Sequence, residues 1–178
     1  MGIKNRGKKA NTQFRKFALT VHVTVSIGWI GAVFAYLALV ITTLTSRDAH
    51  IIRAALISME PITYYAVVPL ALASLLTGLF MSLSTTWGLF RHYWILAKFL
   101  LTIIAIFILF QYTQTISLVA ELAREPSTSL DELKGAHGLL HSVGALVVLL
   151  LNMILSMYKP KGVTKYGWRK QYEKDKKL

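Results

Sequence analysis

His22, His92, His137, His141 and Lys98 are the residues of this 178-residue chain that stand in or beside long apolar runs and carry reactive groups. His22 lies within residues 17–44, FALTVHVTVSIGWIGAVFAYLALVITTL, a run with no carboxylate, lysine or arginine. His92 opens another run, with Lys98 just inside it, and His137 and His141 stand four residues apart at the start of a third. Placing an ionisable side chain in a membrane-length apolar run costs free energy, which makes each a functional candidate. An imidazole nitrogen ligates metals and haem iron, and an ammonium group pairs with an anion such as a haem propionate. Each residue also has a plainer use. His22 serves equally well to hydrogen-bond a neighbouring helix. His92, between Arg91 and Tyr93, and His137 suit a membrane surface, and Lys98 can extend its stem to the nearest surface. The chain has no cysteine. That removes disulfides, thiolate ligands, cysteine-held iron–sulfur clusters and covalently attached c-type haem.

The elements that must carry these groups are four apolar segments, at about 17–44, 62–83, 92–116 and 136–158. Each meets the roughly 20 residues that a bilayer crossing needs. The first run is too long for a secretory signal, so it is read as a retained span. Only 16% of residues are charged, against about 25% in soluble domains. The net charge of +12 is sorted by position, with fourteen of the 20 lysines and arginines in 1–16 and 159–178. This excess is a topology signal, with attraction to anionic lipid as a consequence, and not a nucleic-acid footprint. The positive-inside rule puts both tails and the Arg91 loop in the cytoplasm and the polar 118–135 loop, with Glu121, Glu125, Asp131 and Glu132, outside. The expected fold is all-α: an integral membrane four-helix bundle of the bacterial cytoplasmic membrane, with both termini cytoplasmic. Residues 1–16 form a basic segment, 17–158 the four-span domain and 159–178 a basic tail. Residues 47–60 suit an amphipathic surface helix or an extension of the second span, Pro61 a first helical position, and Pro69 a kink.

Helical spacing puts His22, Ser26, Trp29, Val33 and Tyr36 on one face of the first span. A stripe of small residues, including Gly28, Gly31 and Ala32, offers close helix contact or an oligomer interface. Depth sorts the histidines. At about 1.5 Å per residue, His22 lies roughly 8 Å in from the cytoplasmic end. His92 is near that same end, whereas His137 and His141 belong to the outer half. Two axial ligands of one haem must share a height, which His22 and His92 can do and His22 and His141 cannot. The spacing therefore suggests a six-coordinate haem b between His22 and His92. Arg91 and Lys98 would meet its propionates, and Trp29 would lie at the ring edge. A second, outer haem would take His141, with His137 or His50 as partner.

His22-x6-Trp29-x-Gly31, Met59-Glu60, Pro69, Gly78, Trp94-x3-Lys98 and Lys159-Pro160 follow one another in an order that resembles the small four-helix membrane proteins around the HemJ-type protoporphyrinogen oxidases and the CopD-type copper-resistance domain. The resemblance implies haem b at His22 and a family lysine at Lys98. The chain departs where His137 and His141 replace an expected Asn-Glu pair, and it lacks a histidine expected later in the third span. It therefore resembles a relative of the oxidase more than the oxidase itself.

Three functions follow as expectations. The first is a b-type haem protein, with one haem or two, that moves electrons to or from a quinone or other small redox partner and is a membrane oxidoreductase if it turns over a substrate. The second is a handler of copper or another metal. Against it, Met59, Met81, Met153 and Met157 form no close cluster and there is no thiolate. The third is a cofactor-free assembly factor whose histidines bond only between helices.

Overall fold

The computed structural model describes residues 3–84, 89–133 and 137–176, and of residues 3–11, 84, 131, 132, 137, 174 and 175 it describes the backbone alone. The helices are α1 Ile3–Thr45, α2 Ala49–Ile62, α3 Val68–Ser84, α4 Tyr93–Arg124, α5 Leu130–Leu133, α6 His137–Tyr158 and α7 Lys165–Asp175. Among the described residues the one β-type pairing is a bridge between His92 and Val163. Four rods are long and apolar enough to cross a membrane: Thr12–Thr45, Ala49–Leu83, Tyr93–Arg124 and Gly138–Tyr158. The protein is thus all-helical, and its four apolar rods are those of a multi-pass membrane protein. α1 packs on α2, α3 and α6, and α4 packs on α2, α3 and α6, so the rods close into a bundle.

The inward face of α1 is the one its spacing dictates. Trp29, Val33, Tyr36 and Val40 are each at most 7% exposed, and His22 and Ser26 continue the face toward the N-terminus. Trp29 and Val33 join Val67, Ala71, Ile106 and Leu149 in one core cluster. Tyr36 and Val40 join Ile52, Leu56, Met59, Ile116, Ala123 and Leu133 in a second, farther from the tails. The outward faces carry Phe17, Ile27, Phe34, Ile104 and Phe107, all half-exposed or more. Such a surface is stable where hydrocarbon is the solvent.

Three boundaries differ from the sequence reading. Pro61 lies inside α2 and does not start a new span. The rod runs on through a π-helical turn, Thr63–Val67, in which the Val68 amide donates to the Thr63 carbonyl five residues back. Pro69 has no amide hydrogen to offer the carbonyl four residues before it, at Tyr65 inside this turn, and the wider turn absorbs the gap. α4 continues through the expected loop start at 118 and ends at Arg124. It is held there from α2: Arg53 Nη1 donates to the carbonyls of Ala123 (3.0 Å) and Glu125 (2.8 Å), its Nη2 donates to that of Thr128 (2.6 Å), and Arg124 pairs with Glu60. A cation at a helix C-terminus meets carbonyls that the helix leaves unpaired. Finally, both basic ends carry helix, α1 from Ile3 and α7 in the tail.

α6 is the shortest rod. Its 22 residues amount to about 33 Å, one hydrocarbon thickness. Lys159 then takes a left-handed conformation (φ 42°) before Pro160, which ends the helix.

Candidate functional site

At the tail end of the bundle the four rods present polar side chains to one another at one level. His22 Nδ1 is 2.9 Å from Thr77 Oγ1 and Ser26 Oγ is 2.9 Å from Ser74 Oγ, which ties α1 to α3. Lys98 Nζ donates to Ser156 Oγ, and Asn152 Nδ2 lies 3.4 Å from Thr102 Oγ1, which ties α4 to α6. The level is inside the bilayer: Thr77 precedes the α3 end at Ser84 by seven residues, about 10 Å.

The hydrogen bonds favour one His22 tautomer. Thr77 Oγ1 donates its single hydrogen to a backbone carbonyl, that of Ala73 at 2.6 Å. Toward His22 it can therefore only accept, so Nδ1 carries the proton and the lone pair is on Nε2. Gly78 makes room for the imidazole. A Cβ there would stand 3.1 Å from His22 Cε1, tighter than the ring tolerates without shifting.

Lys98 is half-buried and close enough to His22 to interact with it electrostatically. Among the described residues no carboxylate pairs with it, and the sequence has none between Glu60 and Glu121. Asn152 Oδ1 is buried with no hydrogen-bond partner among the described residues. The site therefore offers an imidazole lone pair, an uncompensated cation and an unused acceptor within one bundle cross-section.

The remaining predicted residues lie elsewhere. Trp29 is buried in the core, with no face left for a ligand. His92 is the residue before α4, in extended conformation, and is bridged through its backbone to Val163. It stands six residues before Lys98, roughly 9 Å nearer the membrane surface for a helical rise. Arg91 belongs to the same surface turn, where its carbonyl accepts from the Thr164 amide at 3.0 Å. His141 lies at the opposite end of the bundle, stacked on Tyr112 with ring centroids 3.9 Å apart and planes at 10°. His137 begins α6, and its side chain falls outside the described residues. Of the small-residue stripe, Gly28 packs against Leu70 and Ala32 joins the core, while Gly31 has open space around it.

Sequence reasoning missed Ser156 and Asn152 as partners. Ser156 had a usable signal: it falls at the depth of Lys98, counted from the ends of their spans. It also missed Thr164. The Thr164 hydroxyl donates to the Phe90 carbonyl at 2.5 Å and accepts from the Gly167 amide at 3.1 Å, which clamps the tail to the α3–α4 turn. No group of three or more metal-ligating side chains exists among the described residues. No family model matches the chain, and no curated protein or solved structure is significantly similar to it. The likeness to the HemJ-type and CopD-type proteins thus rests on the quoted residues alone.

Proposed function

We propose that this protein is a b-type haem-binding membrane protein of electron transfer, with His22 as the axial ligand. The observation that carries this reading is the contact between His22 Nδ1 and Thr77 Oγ1. Metal-ligating histidines donate their other ring N–H to a fixed acceptor, as His22 Nδ1 does to Thr77, which orients Nε2 for a metal. The residues fit one side of a haem. Lys98, short of a counter-ion, suits a propionate, and a buried cation asks for such an anion. Haem, when bound, supplies one-electron chemistry. The chain's part is to hold the iron through Nε2, to neutralise a propionate through Lys98, and to exclude water with the Trp29 core above the site.

The expected bis-histidine pair does not carry over. His92 lies at the level of the surface turn, so we assign one protein ligand, His22, and no role in ligation to His92. An outer haem on His141 gains no support from a ring whose face is stacked on Tyr112. Copper handling stands second because soft ligands are few: the chain has no cysteine, and its methionines form no close cluster in the sequence. The cofactor-free reading is the serious competitor, since the same hydrogen bonds join helices.

Both tails are assigned to the cytoplasm and the α4–α6 connection to the outer side of a bacterial cytoplasmic membrane, from the charge of the two tails. The deciding experiment is a reduced-minus-oxidised spectrum of protein purified from haem-replete cells. The wild type and His92→Ala should show a Soret band and His22→Ala should not. A colourless wild type leaves the polar level as helix-to-helix bonding, and loss of haem in His92→Ala restores the pair.

A further inference from the structure

A cleft opens away from His22, at the far end of the bundle. It measures about 310 Å³ and lies between α4 and α6, lined by Phe107, Ile108, Gln111, Tyr112, Thr115 and His141. Its floor is an aromatic ledge. His141 from α6 lies flat on Tyr112 from α4, and the hydroxyls of Tyr112 and of Tyr36 from α1 both lie beside Gly138. Gly138, one turn before His141, lies against this pair: a Cβ there would stand 3.5 Å from the Tyr112 hydroxyl and 3.7 Å from that of Tyr36. Three helices thus fix the ledge. Its walls are mixed, with Phe107 and Ile108 apolar and Gln111 and Thr115 able to donate and to accept hydrogen bonds.

Position says where a ligand would come from. Gln111 stands eighteen residues beyond the start of α4, about 27 Å along the helix, near the far boundary of a 30 Å hydrocarbon layer. Gln111 is exposed on the outward face of a membrane-crossing helix. A polar side chain there is costly unless something it binds, or the interface, repays it. A molecule entering from the bilayer must be apolar enough to dissolve in it and flat enough to lie along an aromatic ledge. It must also carry oxygens for the Gln111 amide and the Thr115 hydroxyl. A volume near 310 Å³ lies at the small end of ligand pockets, which suits a single ring with its tail left in the lipid.

We infer that this cleft is a binding site for the ring of a lipid-soluble quinone. The site stands on its own residues and does not depend on haem at His22. Full-length protein in lipid nanodiscs, with and without supplied haem, is irradiated with a photoreactive azido-quinone, and the adducts are mapped by mass spectrometry. A photoreactive fatty acid of similar length is the comparison. Labelling should concentrate in 107–115 and 138–145 and should be competed away by unlabelled quinone. Gln111→Leu, which removes exposed polar atoms only, should raise the competing concentration about tenfold, the worth of one hydrogen bond. Thr115→Val should act in the same direction. Labelling that follows the fatty acid's pattern, that resists competition, or that is equal in Gln111→Leu and Thr115→Val overturns the assignment. A missing Soret band leaves it untouched.

Discussion

Thr77 decides what His22 can do, because its hydroxyl has one hydrogen and spends it on its own helix. Thr77→Val keeps the shape and removes the acceptor for Nδ1. We expect the helix pair to lose about 1 kcal/mol and haem affinity to fall roughly 10- to 100-fold, as for other outer-shell changes; haem titration followed in the Soret region checks this. Lys98→Met should weaken haem binding while leaving thermal stability unchanged or improved, since it removes an unpaired cation from the bundle. A thermal scan in detergent beside the same titration separates the two effects. Gly78→Leu should abolish binding by occupying the space of the imidazole, with circular dichroism showing retained helix. The sequence disclosed His22 and Lys98 themselves, since an ionisable group in an apolar run is visible as a letter. It could not disclose the tautomer, because that depends on a threonine 55 residues away and on which carbonyl that threonine prefers. His92 shows the opposite failure: its depth hinged on whether α4 begins before or after it, and a boundary error of one turn decides between ligand and surface.

At the scale of elements, the spans were legible because apolar length is a strong signal, and the buried face of α1 followed from spacing alone. The ends were not. α4 runs past Ile116 because Arg53 and Glu60, on another element, satisfy its last carbonyls and pair with Arg124; the local sequence of 118–124 reads as polar loop. Arg53→Ala should therefore fray the end of α4. We expect a loss of about 1–3 kcal/mol for the stranded carbonyls, with faster amide exchange across 120–128 and none across 98–110. The π turn was equally hidden, since two prolines eight residues apart announce an irregularity without saying that the rod survives it. The tail clamp gives a further test. A Cβ at Gly167 would stand 2.6 Å from the Arg91 carbonyl, so Gly167→Ala should release the tail. Trypsin should then cut within 159–170 several-fold faster in the variant, and equal cutting would show that the tail is held by something other than this contact.

For the molecule as a whole, the tails and the α3–α4 turn share one end, and the Arg53 and Arg124 contacts share the other. Reporter fusions after Leu178 and within residues 127–130 should report opposite sides of the membrane; the same side for both would require a different number of crossings. That the two tails fall at one end with the α3–α4 turn was legible in the charge of whole segments, which does not depend on any single contact. The unequal rods have a consequence for where the protein can reside. α1, the α2–α3 rod and α4 all overshoot the hydrocarbon, but α6 matches it almost residue for residue. α6 is therefore the bundle's gauge of membrane thickness. In a bilayer a few ångströms thicker, the long rods can absorb the hydrophobic mismatch by sliding more of their own length into the lipid, whereas α6 must draw Lys159 or His137 inward or thin the membrane around itself. That deformation would gather along one flank of the bundle, beside the cleft that α6 shares with α4, and would favour lipid species short enough to relieve it.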